Sequence, residues 1–546
     1  MLGGGLIAAA AVGCSAKRSP AQGPQANGQA KQPKRGGVLT YPGGGGVGSY
    51  DIEGYGFDPA SQLQFFAKAY TLFYERLLAY NVRTRVIEPE LAQKWEQPSM
   101  TEYVFHLQPG VKWQNKPPVN GRPLTVEDIL WSLQRVRTND PRYLYRSLLD
   151  GVDKLEAPDQ ATVRITLKGP DAVMLKKLAI ENMSAVAREV VDKDPKLSSA
   201  EVAIGTGPFI MKSMNVPVSA EYVRNPDYWK PGLPYLDGLR TQKFSDLLSG
   251  WSAFLAKQVD LALVPGSEVK GYIAQQGPGY EPDWYADDSP GGVSAPNVRV
   301  KPMDDARVTR ALRLLLDHDD LVKSWAEVQY GRGAYGSIFP TALASWDLTP
   351  DEYRTHLEWK QPKDEAAREA LSLLSAAGFT KDKPLRFEFF ANGGNAAIPP
   401  AAQLMQAHWK RFSQGAVDAQ LQLEQGTAAQ TRLANRAFTF ELIGTSTGIV
   451  DPDSWLTAMF HSEGSLNYMG WSEGQVDAMI DRQRTIFDES QRKAAVKEII
   501  LYLIDHSPSV ITANRLFLQG LKPGLQNHVP EYFLNGRQYQ TVWLSS

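Results

Sequence analysis

"TEYVFHLQPGVKWQNKPPVNGRPLTVEDILWSLQRV" (101–136) changes period part-way along. In "TEYVFHLQ" apolar and polar residues alternate, as in a strand with one buried face. In "LTVEDILWSLQRV" Thr125 stands as an N-cap, and Ile129, Leu133 and Val136 share one helical face. The same two patterns interleave along the chain. Val38 to Tyr41, "ATVRITLK" (161–168) and "LRFEFF" (385–390) read as strands. "TPDEY" has Thr349 as cap, Pro350 at the first helical position and Glu352 closing a capping box. "SEGQVDAMI" places Ser472 and Gln475 in the cap roles, with Val476, Met479 and Ile480 inward. "MDDARVTRALRLLLDHDDLVKSW" (303–325) predicts two helices. Val308, Ala311, Leu312 and Leu315 are the buried stripe of the first, and Asp319 or Asp320 starts the second. "KAAVKEIILYLIDHSP" buries Val496, Ile499, Ile500 and Leu503 and stops at Pro508; Gly378 ends the helix before it. Strands alternating with helices predict an α/β protein. No internal repeat is visible.

At 546 residues the chain is long enough for more than one lobe. A net charge of −2 gives no basic field of the kind that holds nucleic acid. The 13 Trp and 22 Tyr suit a pocket gripping an amphipathic ligand, although large cores use aromatics too. Gly43, Gly45 and Gly48 match G-x-G-x-x-G, but "SYDIEGYGFDP" after them has no helical period, so a mobile loop is expected rather than a dinucleotide site. No Walker lysine motif or H-E-x-x-H occurs. The pairs Asp287-Asp288 and Asp319-Asp320 read as turn or cap residues. A glycosidase would need two carboxylates facing across a cleft. No catalytic residue, metal ligand or cofactor is expected.

Cys14 is the sole cysteine, which excludes an internal disulfide. It follows the apolar run "LIAAAAVG", too short to span a bilayer and of a length suited to a secretion signal. Ala11-Val12-Gly13-Cys14 has the small-residue pattern of a lipobox, in which the thiol carries lipid. The alternative is a small buried cysteine in an N-terminal helix. No basic residue precedes Cys14, so 1–14 reads as the second half of a longer signal. Residues 15–35, rich in Gln, Ala, Gly, Pro and Lys, read as a flexible tether.

A series of short motifs then follows in order: "ERLLAYNVRTRVIEPELAQKWEQ" (75–97), "YVFHLQPGVKWQN" (103–115), "PLTVEDILWSLQRV" (123–136), "IGTGPF" (204–209), "VRNPDYW" (223–229), "PMDDARVTRALRLLLDHDDLV" (302–322) and "VDPDSW" (450–455). This ordered set resembles the bacterial extracellular solute-binding proteins of family five, receptor lipoproteins of oligopeptide, dipeptide, opine and nickel ABC importers. The likeness covers nearly the whole chain after the tether. In "GTGPF" the glycines permit a tight turn and Pro208 blocks a helix. In "RNPDYW" Asn225-Pro226-Asp227 is turn chemistry with Tyr228 and Trp229 packed across it. Both motifs are expected to support the fold rather than touch ligand.

The resemblance implies two α/β lobes of the periplasmic-binding-protein class II type, with an extra inserted domain and a cleft that closes by a hinge. On that map 36–74, 204–288 and 515–546 form lobe I, 75–203 the inserted domain and 289–514 lobe II. It implies a monomeric receptor in the cell envelope, periplasmic or lipid-anchored to the outer face of the cytoplasmic membrane. Such a receptor delivers cargo to permease and ATPase subunits without chemical change. Peptide is the leading cargo; an oligosaccharide or opine is the alternative. In peptide-binding members a carboxylate three residues before the Asp-Pro pair takes the peptide's amino terminus. Here the pair is Asp451-Pro452 and that position is Gly448. An unpaired buried ammonium is costly, so Gly444-Thr445-Ser446-Thr447-Gly448 departs from the peptide pattern. Thr445, Ser446 and Thr447 suit neutral polar groups. The other cleft candidates are Gln62, Gln64, Tyr143 and Tyr145 in "DPRYLYRSL", Tyr335, Asn392 and Asn395 in "ANGGN", and Trp471. Asp451 is read first as the cap of the helix beginning at "PDSW".

Overall fold

The computed structural model describes residues 32–42, 57–61, 70–81, 83–140, 142–143, 145–215, 218–244, 246–286, 292–325, 333–335, 338–356, 363–393, 398–444, 449–530 and 536–545. Cys14, the expected signal segment and most of the expected tether lie outside them, as does the glycine run at 43–48.

Three larger sheets organise these residues, beside three two-stranded ones. One is antiparallel, in the order Ala92–Ser99, Glu102–Leu107, Thr162–Leu167, Val152–Asp159. The helix Val126–Val136 packs on it through buried Ile129, Leu133 and Val136. A second sheet runs Val38–Pro42, Gly238–Gln242, Ser219–Arg224, Phe209–Asn215, with only its first pair parallel. The largest runs Tyr285–Ala286, Val510–Phe517, Gly292–Pro296, Phe440–Ile443, Leu385–Asn392, Val417–Glu424, with Gly333–Tyr335 also paired to Val510–Phe517. In it Leu385–Asn392 is parallel to both neighbours. That explains why Phe389, Phe390 and Ala391 are all buried where simple alternation would expose the middle one. The apolar side chains form a first core under the first two sheets. A second lies on the large sheet around Leu312, Phe389 and Trp409, and a third around Trp455, Ile480 and Ile500.

Local capping follows the sequence closely. Thr125 and Asp128 form a capping box, as do Thr349 and Glu352 with Pro350 at the first position. Gly378, at φ +88°, ends Asp364–Ala376: its N–H donates to Ser375 O at 3.0 Å, and that of Phe379 to Leu374 O at 2.9 Å. The helix Glu489–His506 stops before Pro508 with Val496, Ile499, Ile500 and Leu503 buried. Two starts differ from expectation. The helix Gly474–Arg484 begins after Glu473, not on a Ser472 cap. Asn467 Nδ2 donates to Trp471 O at 2.7 Å, which keeps the chain in a turn up to that point. The helix His318–Trp325 is capped by Asp317, whose carboxylate accepts from the N–H groups of Asp319 and Asp320 at 3.1 and 3.2 Å.

"GTGPF" and "RNPDYW" support the fold, but the glycines do so by close approach rather than by turn geometry. Neither Gly205 nor Gly207 has a positive φ. A Cβ on Gly205 would lie 1.8 Å from Phe73 O, and one on Gly207 2.9 Å from the Phe73 backbone. The bare backbone lets Gly207 N–H reach Phe73 O at 2.9 Å. Beside it, the buried Glu75 carboxylate accepts from Thr206 Oγ1 (2.7 Å), Tyr228 OH (2.9 Å) and Trp229 Nε1 (2.7 Å). Three motifs distant in sequence thus meet on one side chain. Burial pushes the Glu75 carboxyl up against the opposing Lys230 charge.

Candidate functional site

The parallel strands Leu385–Asn392 and Phe440–Ile443 stop at one edge of the large sheet, with Ala391 opposite Leu442. Chain ends of this kind, outside the carboxyl ends of parallel strands, form binding crevices in open α/β sheets. Half-buried Asn392 closes the first strand, and Gly393 N–H is anchored on Glu424 O at 2.7 Å. Gly444 follows the second strand and leads into the Thr-Ser-Thr stretch. The topology therefore brings Asn392 and Gly444 to one edge. Thr445, Ser446, Thr447 and Gly448 themselves lie outside the described residues, with Gln62, Gln64 and Asn395.

The remaining candidates are dispersed. Tyr143 is buried in the first core, its ring 4.9 Å from the Arg135 guanidinium, which is paired with buried Asp58. Burial raises the Tyr143 phenol. Tyr145 is half-buried against the same core. Tyr335 ends the short strand Gly333–Tyr335, opposite Ala513. Trp471 is half-buried on the third core.

Past the Thr-Ser-Thr stretch stands a charge cluster. Asp451 is fully buried and caps the helix Pro452–Trp455, accepting from Asp453 N–H at 2.9 Å. Its carboxylate also receives Lys176 Nζ at 2.7 Å and both terminal nitrogens of Arg492, one at 3.0 Å. Burial alone would raise this carboxyl, but the Lys176 and Arg492 charges outweigh it and hold it at about 2. Arg492 is steadied by Gln483 Oε1 at 2.9 Å, and Gln483 Nε2 in turn donates to Asp453 at 2.6 Å. The Arg492 guanidinium lies 5.1 Å from the Trp346 ring centre.

The model of the bacterial extracellular solute-binding proteins, family 5, middle region, matches residues 86–467. The chain belongs to this family. It is 27% identical over 514 residues to Di/tripeptide-binding protein 2 of Pseudomonas aeruginosa, covering 87% of this chain and 90% of that one. Heme-binding protein A of Haemophilus influenzae is 24% identical over 514 residues, covering 88% and 87%. Among solved structures, the PBP AgaA of A. tumefaciens R10 in complex with agropinic acid superposes with a TM-score of 0.75. The identity is 20%, with coverage of 93% of this chain and 99% of that one. The family 5 protein is thus a two-lobed α/β solute-binding protein.

Within this family 5 protein, sequence reasoning found Asp451 as a cap but missed its cationic partners. Lys176 is 275 residues away, and no local pattern ties the two. Glu441 was also missed. It lies on the Phe440–Ile443 strand, in register between Ala295 and Phe390, buried and with no hydrogen-bond partner on Oε2. Burial pushes its carboxyl well above the usual carboxylate range. Among the described residues no cluster of His, Cys, Asp and Glu is arranged for a metal, and no helix is long and apolar enough to cross a membrane.

Proposed function

We propose that this solute-binding protein is the receptor of an ABC importer. It takes a di- or oligopeptide outside the cytoplasmic membrane and hands it, unaltered, to a permease. The observation that carries this is the family match over 86–467, beside a di/tripeptide-binding relative aligned over 90% of its own length. An opine or oligosaccharide is the second reading, favoured by Gly448, which offers no carboxylate to a peptide's amino terminus, and by the hydroxyls of Thr445, Ser446 and Thr447. Asn392, at the end of the neighbouring strand, would share that edge of the crevice; Gln62, Gln64, Tyr143, Tyr145, Tyr335, Asn395 and Trp471 are the further contacts proposed.

The lobes are proposed as 36–74, 204–288 and 515–546 for the first and 289–514 for the second, with 75–203 inserted. Supporting this, the antiparallel sheet 92–167 lies wholly within the insert. Tyr285–Ala286 and Val510–Phe517, which pair with each other, sit at the two proposed boundaries and act as crossing strands. Cys14 is proposed as the lipid attachment point. Cys14→Ser should move the protein from membranes to the aqueous fraction; retention on membranes would refute the anchor.

The receptor reading is tested by thermal-shift screening of the full chain against di- to hexapeptides, opines and oligosaccharides. A cargo present at a few hundredfold over its Kd should stabilise by about 3–4 kcal/mol. A peptide hit supports the first reading, and an opine or sugar hit with silent peptides the second. Chemical conversion of a bound compound would overturn both.

A further inference from the structure

The turn Ile449–Asp451 belongs to two cores at once. Ile449 is buried in the first core, while Val450 packs against the third. Asp451, next in line, reaches Lys176 on the helix Met174–Leu178. Lys176 Nζ also approaches Val450 O at 3.4 Å. That helix is fixed to the first core by buried Met174 and Leu178 and by the Lys177–Asp171 pair at 2.6 Å. A few residues earlier, Ala172 N–H donates to Arg484 O at 2.9 Å. Arg484 is held on the third-core side by Asp453 at 2.9 Å and Thr457 at 2.7 Å. An apolar plug, an ion pair and a backbone hydrogen bond therefore join the same two bodies within a few residues of one another.

The two cations on Asp451 do different work. Without Lys176, the buried carboxylate keeps Arg492 and the Asp453 N–H. With its side chain 29% exposed, the Lys176 ammonium can take water when the contact opens, while Arg492 remains beside Asp451 as a counter-charge. Arg492, by contrast, is buried on the same side as Asp451, so an opening between the two cores need not part them. The attraction of Lys176 is thus gained only while the two cores are together. An interaction present in one conformation and absent in the other shifts the population between them.

We propose that Lys176–Asp451, with Ile449 and the Ala172–Arg484 hydrogen bond, forms a latch that holds the first and third cores together at the turn Ile449–Asp451. Lys176 is its positioning residue: it ties the turn that follows the Thr-Ser-Thr stretch to the first core. The use of such a latch in cargo retention rests on the receptor reading above. The latch itself does not, and its test needs no cargo.

The test is hydrogen exchange with small-angle scattering on the full chain without added ligand, for the wild type, Lys176→Met and Lys176→Arg. Met keeps most of the stem and removes the charge; Arg restores a cation. Exchange at the Ala172 amide should rise about tenfold in Lys176→Met, as expected for loss of a charge-assisted contact that gates local opening. The radius of gyration should grow, and Lys176→Arg should return both toward wild type. Amides of Glu102–Leu107 and Leu385–Asn392, each inside a single sheet, should keep their rates. Unchanged exchange at Ala172 overturns the latch. Equal acceleration in the two control strands also overturns it, because the effect would then be general stability. A protein that binds no peptide, opine or sugar would refute the receptor reading and leave this result standing.

Discussion

Glu75 and Asp451 are both buried carboxylates that each accept at least three donors, yet they differ in almost every consequence. Glu75 is fed by the neutral groups of Thr206, Tyr228 and Trp229, and burial lifts its carboxyl above the ordinary range. Asp451 is fed by two cations and a backbone N–H, and its carboxyl stays at about 2 despite complete burial. Neutral donors satisfy oxygen atoms without compensating their charge; cations do both. Glu75 accordingly gathers three chain segments within one core. Asp451 has charge enough to hold Arg492 on its own side and to engage the first core through Lys176.

The largest expected effect comes from breaking the charged site. Arg492→Met leaves a buried aspartate with one partly exposed lysine. Removing one partner of a buried pair typically costs about 3–5 kcal/mol. Urea denaturation measures it, and a loss below about 1 kcal/mol, the size of a surface pair, would mean that Asp451 is solvated in a way its burial denies.

The next effect is on acid stability, where the two carboxylates have opposite signs. The folded-state value of Asp451, about 2, lies below its ordinary 3.8. Its stabilisation is therefore complete above about pH 4 and is lost as pH falls through 2, an amount on the order of 2 kcal/mol. The carboxyl of Glu75 is raised, so its contribution is complete below its ordinary value of 4.5 and declines as pH rises through the folded value. Comparing the pH dependence of unfolding in Asp451→Asn and Glu75→Gln with wild type should show the acid slope reduced in the first. In the second, the decline on the alkaline side should be reduced. Parallel profiles for the two variants would remove the distinction.

The smallest effect is the isosteric change Glu75→Gln at neutral pH. The amide oxygen still accepts from neutral donors, so the loss should stay within about 1 kcal/mol, one hydrogen bond's worth. A cost equal to that of Arg492→Met would show that Glu75 also depends on a charge partner, Lys230 being the nearest candidate.

The legibility of the site divides along the same line. The sheet edge where Asn392 ends one strand and Gly444 follows the other comes from two apolar segments becoming parallel neighbours, and the fold confirms their strand character. Asp451 was readable as a cap because Asp-Pro ahead of an apolar turn is a local signal. Tyr143 is a cleft candidate from the resemblance; its packing against Arg135 and Asp58, partners 8 and 85 residues away, is not readable from any local pattern. Its exposure was never a local property.

The sequence by itself determined elements whose causes lie within one or two turns: the Thr125–Asp128 and Thr349–Glu352 boxes, the left-handed Gly378 terminus and the buried stripe of Glu489–His506. The ordered motifs also determined the family and its two-lobed α/β plan. Tertiary structure alone decided why Gly205 must lack a side chain, since the obstacle is the Phe73 carbonyl. It alone decided which buried carboxylate meets cations and which meets neutral donors. Backbone capping acts over three or four residues and leaves a mark in their spacing. Desolvation and ion pairing depend on which distant segments arrive at the same buried point, as Lys176 and Asp451 do across 275 residues, and no short pattern encodes that arrival.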